Sequence, residues 1–221
     1  MAILQRNKIL IALIALILFF SYLASLILTS FGSVEVKTLR LDTQNNQYLI
    51  YDLYKPKIAS KENKAPFIAI IPGFQRSKEA LSNIAIELSR RGYVVALIDP
   101  YAQGLSSSSL STRAATTEGY GMFSLVEYVH SGAFEYVDID RIGATGHSMG
   151  GNAAIRGADY FGKKAIKNAT TSILNSVYVS GYVLTLRNKI LQDSRSNMGI
   201  SYALYDEGCL LYTSPSPRDC Q

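Results

Sequence analysis

Residues 141–151 read RIGATGHSMGG, and the placement of Gly146, His147, Ser148, Met149, Gly150 and Gly151 within them decides the fold. Residues 141–145 read as a short strand and residues 152–167 as a helix, so the serine falls at a strand-to-helix turn. Such a turn is sharp and strained, and it lifts the Ser148 hydroxyl over the edge of a sheet. Gly146 and Gly150 lack a β-carbon, which lets strand and helix approach closely enough to make it. At the head of the helix the Met149 N–H has no intrahelical acceptor and can receive a developing negative oxygen. His147 lies inside the turn with its side chain directed away from where a base must stand, and reads as a packing or loop-bonding residue. A glycine–serine–glycine pattern is weak by itself; Gly151 and the strand-to-helix context make it specific.

Working outward, Val34, Val36, Thr38 and Leu41 alternate with Glu35, Lys37 and Arg40; the pattern breaks over 42–46 and resumes over 47–54. This predicts an antiparallel hairpin. Residues 67–71 are a short apolar run ending in Pro72-Gly73, as in a strand buried on both faces. Ser77 is a candidate cap for a helix that places Leu81, Ile84, Ala85 and Leu88 on one side, with Arg90 and Arg91 in its last turn and Gly92 as its stop. Residues 93–98 form the next buried strand. A loop over 99–117, with Gly104 and four serines at 106–109, leads to a helix over 120–130. Beyond the elbow come a strand over 176–180, a helix over 184–192 and a last strand over 199–205. Alternation of this kind predicts an α/β fold, a mostly parallel sheet with helices on both faces.

The two ends read differently from this body, which spans 33–208. Ile9 opens and Leu28 closes an uncharged stretch, residues 9–28, ILIALIALILFFSYLASLIL. As a helix it is about 30 Å long, the thickness of the hydrocarbon layer. Residues 1–32 are therefore a membrane segment, and two readings stand: a retained anchor, favoured by its length, or a signal cleaved near Ser30 and Gly32. Arg6 and Lys8 before it against Lys37 and Arg40 after it give a shallow charge bias. The first-helix tendency puts the domain on the extracytoplasmic side. At the other end residues 209–219, CLLYTSPSPRD, match residue for residue the in-frame translation of a transposase sequencing adapter. Residues 209–221 are expected to be non-native and unpacked, with natural sequence stopping near Gly208.

Composition narrows the function. Of 221 residues, 48% are hydrophobic, enough for one ordinary core, and the net charge of +5 includes Arg6 and Lys8 beside the membrane segment. What is left is too scattered for nucleic acid. The only cysteines, Cys209 and Cys220, are in the tail, so neither a disulfide framework nor a cysteine metal cluster organises the body. No clustered His and carboxylate ligands suggest a metal, and no G-x-G-x-x-G follows a strand, so no cofactor is expected.

The chain resembles an α/β-hydrolase over about 33–206, with GHSMGG as the most specific piece. Ile71-Pro72-Gly73-Phe74 is similar to that family's oxyanion loop, which implies the Phe74 N–H as a donor beside that of Met149; Pro72 replaces the usual His. Residues 99–106, DPYAQGLS, resemble the family's segment ending in His-Gly-x-Ser, with Gln103 in place of His. Residues 200–206 resemble the strand that ends on the triad acid, which implies Asp206 as the carboxylate that orients a histidine; its other reading is an Asp capping a turn. Of the two histidines, His130 precedes the serine at a helix end and His147 is in the elbow, so neither fits the family's order. The base is then expected beyond the adapter junction, and this fragment is expected to be inactive.

By this resemblance Ser148 is the nucleophile of a membrane-anchored serine esterase or lipase-like enzyme acting on a carboxylic ester or thioester. A polyester or cutinase-like hydrolase and an acyltransferase share the same elbow. Epoxide hydrolases and dehalogenases normally place an Asp there. A non-catalytic hydrolase-fold module at the membrane is the alternative from another class. Tyr101, Arg113 and the serine run could line the pocket or be plain loop; Tyr182, Leu184 and Leu186 could contact an acyl chain or pack in the core. The sequence leaves oligomeric state open.

Overall fold

The computed structural model describes residues 2–43, 46–109, 117–180 and 194–201. The first helix, α1 (Ala2–Leu28), contains a window at Asn7–Ile27 of mean hydropathy 2.7, none of it buried, long and apolar enough to cross a membrane. The predicted hairpin forms: β1 (Val34–Asp42) and β2 (Tyr48–Pro56) pair antiparallel, Val34 opposite Pro56 and Asp42 opposite Tyr48. β1 is the sheet edge, and its exposed Glu35, Lys37 and Arg40 guard that edge against pairing with another chain.

β3 (Ala65–Ile71), β4 (Val94–Ile98), β5 (Val137–His147), β6 (Ser176–Ser180) and β7 (Asn197–Ser201) complete a sheet of order β1-β2-β4-β3-β5-β6-β7. β2 runs antiparallel to β4, while the β4–β3, β3–β5, β5–β6 and β6–β7 pairs are parallel. All five residues of β4 are buried, the reason its sequence is a continuous apolar run rather than an alternation.

α2 (Ser82–Arg90) packs Ala85 and Ile86 on one face, against Tyr54, Ile70, Val95 and Leu97. α3 (Met122–His130) and α4 (Met149–Asn168) cover the other, where Leu125, Val126, Ala154 and Ala158 join Phe67, Ala69, Ala96 and Ile142 in the main core. Handedness explains the split. The β3–α2–β4 crossover steps one way along the sheet and β5–α4–β6 the other, so right-handed connections land on opposite faces.

Several expectations are corrected. Ser77 makes no side-chain capping bond; a 3-10 turn at Lys78–Leu81 comes first, and its first N–H, that of Lys78, donates to Asp99 Oδ1 at 2.8 Å. The Ser77 hydroxyl bonds the Glu79 carboxylate rather than a backbone N–H, because a charged acceptor is the stronger partner. The next helix begins at Met122 rather than 120, because Gly119–Gly121 forms a separate turn with Tyr120 at φ +53°. β7 starts at Asn197, two residues earlier than 199. The expected helix over 184–192, with Tyr182, Leu184 and Leu186, lies outside the described residues, as do 202–205, Asp206 and the tail.

Phe67 is fully buried in the central strand. Phe67→Ala is expected to cost about 3–5 kcal/mol, whereas Lys37→Ala on the exposed edge should stay within about 0.5 kcal/mol. Urea unfolding of the detergent-solubilised chain measures both.

Candidate active site

β5 ends at His147 and α4 begins at Met149, so Ser148 alone makes the connection. Its backbone sits at φ +54°, ψ −119°, a conformation that a residue with a side chain adopts only when its surroundings impose it. Two bonds impose it here: the Ser148 N–H donates to Ser180 O at 3.1 Å, and Ser148 O accepts the Asn152 N–H at 3.0 Å. The glycines supply the room. A Cβ on Gly146 would stand 2.3 Å from the Gly150 carbonyl carbon, and one on Gly150 would stand 2.0 Å from Ile71 O. Strand, helix and the end of β3 touch backbone to backbone at these positions.

The loop after β3 runs beside the elbow. At Gly73 a Cβ would lie 3.4 Å from Ser148 Cβ and 3.5 Å from His147 O, which puts Phe74 one residue away from the serine. The Phe74 ring is 68% exposed, while Ile71, Pro72 and Gly73 are buried. Among the described residues, neither the Phe74 nor the Met149 N–H finds an acceptor, and the half-buried Ser148 hydroxyl has no partner.

Two side chains fasten this loop to the one after β4. Gln103 accepts the Gln75 N–H on its Oε1 and donates from Nε2 to Gly73 O at 3.4 Å and Arg76 O at 3.3 Å. Asp99, 1% exposed, accepts from Lys78 N–H on one carboxylate oxygen and from Leu105 N–H, at 3.0 Å, on the other. Gly104, at φ +55°, lies so close that a Cβ would meet the Asp99 carboxylate at 2.2 Å. Sequence reasoning marked Gln103 only as a departure from His. An amide that offers both an acceptor and a donor was the available signal for a clamp on exposed backbone.

The charges behind the loop are coupled. The Lys78 ammonium is buried beside Glu79 and 3.5 Å from Asp52 Oδ2. Burial pulls its pKa down, but the bond to Glu79 and the Asp52, Asp99 and Glu79 carboxylates outweigh that and leave it raised. Hydrogen bonds from Lys78 and Ser77 hold Glu79 down at about 2.

The serine run is ordered by the hairpin. Ser106 Oγ accepts the Ile50 N–H at 2.8 Å and donates to Asp99 O, while Ser107 Oγ accepts the Tyr48 N–H at 2.9 Å. These hydroxyls serve the β2 backbone beyond its pairing with β4. Tyr101 is 3% exposed, with its hydroxyl 2.6 Å from Thr43 Oγ1, so it is core rather than pocket wall; Arg113 lies outside the described residues.

The exposed His147 ring turns to Ser180, with Nδ1 3.3 Å from Oγ. His130 ends α3 beside Glu127 and Lys164, at the strand-start edge of the sheet and opposite the elbow. Asp206 is outside the described residues, so the structure does not place the expected acid. The described residues include no group of three or more His, Cys, Asp and Glu side chains suited to a metal. A cavity of about 720 Å³ lies away from Ser148, on the sheet face beside α2, lined by Ile68, Ile84, Tyr178 and Met198, with His147 at its edge. The Ser148 side chain does not line it, and we assign it no catalytic part.

Two outcomes follow. Gly150→Ala should disrupt the elbow and lower the thermal midpoint far more than Gly132→Ala, which meets only the strain of its φ of +87° because its Cβ would find nothing within 4 Å. Because the carboxyl of Glu79 is held below its ordinary 4.5, its contribution to stability is present above that pH and is lost as pH falls toward about 2. Acid unfolding curves of the chain and of Glu79→Gln should therefore converge at the acid end.

Comparison with known proteins bears on the whole arrangement. A family model described as PET hydrolase-like matches residues 23–187. No curated protein matches the chain. Among solved structures, DcsB in complex with its substrate analogue superposes with a TM-score of 0.52 at 20% identity, over 68% of this chain and 46% of that one. The α/β hydrolase GrgF from Penicillium sp. sh18 gives 0.53 at 18%, over 66% and 46%. An esterase from Pyrococcus furiosus gives 0.51 at 16%, over 79% and 86%. The chain thus spans less than half the length of the first two, and at these identities the likeness is one of fold. Because the family match runs from the end of α1 past β6, through the elbow and both loops fastened around it, the chain belongs to the PET hydrolase-like family and has the α/β-hydrolase fold.

Proposed function

We propose that the protein is a membrane-anchored serine hydrolase that cleaves carboxylic esters, or thioesters, through an acyl-enzyme on Ser148. The observation that carries this reading is the strained Ser148 backbone, which presents an unpartnered hydroxyl against the Gly73–Phe74 loop. Strain kept at one residue by surrounding bonds is characteristic of a functional position.

In the proposed reaction the Ser148 hydroxyl attacks the ester carbonyl while a histidine removes its proton. The Phe74 and Met149 N–H groups stabilise the oxyanion of the tetrahedral intermediate, fixed donors that need no reorganisation as charge develops. Collapse releases the alcohol, which takes the proton from the histidine, and water then cleaves the acyl-enzyme by the same route in reverse. Neither His147 nor His130 is bonded to Ser148, so the proposal assigns the base to a histidine C-terminal to Asp206 in the full-length gene product, with Asp206 orienting it. The exposed Phe74 ring offers an apolar surface to the substrate beside the nucleophile. The family match favours a polyester among the ester substrates. Retention of the α1 window as an anchor belongs to the same proposal.

A fluorophosphonate probe on the full-length gene product tests it. Labelling should map to Ser148 and vanish in Ser148→Ala, and turnover of a chromogenic ester should fall by about 10⁴-fold or more in that variant. A folded full-length protein that takes no label overturns the enzyme reading and leaves a non-catalytic hydrolase-fold module.

A further inference from the structure

α1 runs into the domain with almost no spacer. It ends at Leu28, Ser30, Phe31 and Gly32 take left-handed φ of +52°, +54° and +77°, and Val34 already begins β1. The reversal is held from several sides. The Val34 N–H donates to Thr29 O at 3.1 Å, the Lys57 N–H to Ser33 O at 2.9 Å, and the Arg90 guanidinium to Ile27 O at 2.9 Å. This last bond joins the end of α1 to the last turn of α2, a cation adding to a helix C-terminal carbonyl that also accepts the Ser30 N–H at 3.0 Å. None of the Asn7–Ile27 window is buried, so α1 leads away from the domain.

Strand directions show which edge sits at that junction. β1 is antiparallel to β2 and β2 to β4, so β1 runs the same way as β4, β3 and β5. The start of β1 therefore shares an edge with the starts of β3 and β4, and Ser148, after the end of β5, belongs to the opposite edge. By register Val36, Tyr54, Val95, Ile68 and Gly143 share one level, which puts Ser148 about seven residues beyond the level of Val34, or about 23 Å at about 3.3 Å per residue.

The edge at the junction has the composition of a membrane–water boundary. Phe31 is 75% and Ile58 64% exposed, and Lys57, Lys61, Arg90 and Arg91 are exposed around them. Ile58 reaches to the turn after α2: a Cβ on Gly92 would lie 3.5 Å from its Cδ1. Glu87 answers part of the charge on Arg90 and Arg91. Aromatic rings and long cations beside the end of a span settle at headgroup level.

We infer that this edge is a lipid-contact surface: it seats Phe31, Ile58, Lys57 and Lys61 at the headgroups and holds Ser148 on the far, aqueous side of the domain. The enzyme accordingly takes its ester from solution rather than from the bilayer it is attached to. The inference rests on the proposed retention of α1 as a span.

Energy transfer to the membrane tests it. With Cys209→Ser and Cys220→Ser removing the two thiols of this chain, Lys61→Cys or Leu105→Cys carries a donor dye, and vesicles of phosphatidylethanolamine and phosphatidylglycerol carry an acceptor on the headgroup. Leu105 is 67% exposed in the loop after β4, on the Ser148 side. Strong transfer from position 61 and loss of it at position 105 supports the inference; equal transfer, or stronger transfer from 105, overturns it. Insertion of about 20 Gly/Ser residues between Gly32 and Ser33, long enough to free the domain, should make the two efficiencies converge. An unchanged difference overturns the role of the short junction. Extraction of the protein from vesicles by alkaline carbonate overturns the anchor and this inference with it. Failure of Ser148 to label changes none of these readouts, so the two proposals fail separately.

Discussion

Three backbone segments meet without side chains between them where Gly146, Gly150 and Ile71 touch, and the Ser148 end of the fold depends on that contact. A single β-carbon on Gly150 would overlap the Ile71 carbonyl at 2.0 Å. With the glycines in place, α4 starts one residue after β5 and its first turn lies against the end of β3. Only then is Ser148 forced into its strained conformation beside Gly73. The same contact fixes how α4 lies on the sheet, where Ala153, Ala154 and Ala158 pack into the main core.

Around this contact the site is built from loops, and loops hold a geometry only when something ties them. Here the ties are polar side chains acting on backbone. Gln103 reaches the Gly73–Arg76 loop, Asp99 holds Lys78 and Leu105, and Ser106 and Ser107 fasten the same loop to β2. Each satisfies backbone groups that no strand or helix pairs, so the sheet edge at which Ser148 emerges is ordered without being regular. Asp99 is buried, and its charge is offset by two N–H donors and the nearby Lys78 ammonium, which makes it a fixed point for both loops.

The opposite edge has a different task. The chain enters there from α1 through a turn too short to swing freely, and Arg90 bonds back to the end of that helix. Strand polarity alone separates the entry point from Ser148, since parallel strands place all their starts on one edge and all their ends on the other.

Much of this was legible in the chain itself. The hairpin appeared as alternation with charged residues outward, and the central strands as unbroken apolar runs, because burial on one face or two leaves different periodicities. The elbow could be read because its requirement is local: a serine between glycines at a strand-to-helix junction. The membrane-length helix follows from composition over one stretch. Tertiary structure decided what depends on residues far apart. Ser77 is a good local cap, yet its hydroxyl goes to Glu79, and the first N–H of the turn goes to Asp99, which follows β4. Gln103 looked like a departure from a pattern until folding brought Gly73 and Arg76 to it. Tyr101 could be pocket lining or plain loop by sequence and became core, because its hydroxyl finds Thr43, which follows β1. Periodicity and turn chemistry act over a few residues and can be read in sequence order; hydrogen bonds between distant loops depend on which strands become neighbours, and only the folded sheet sets that.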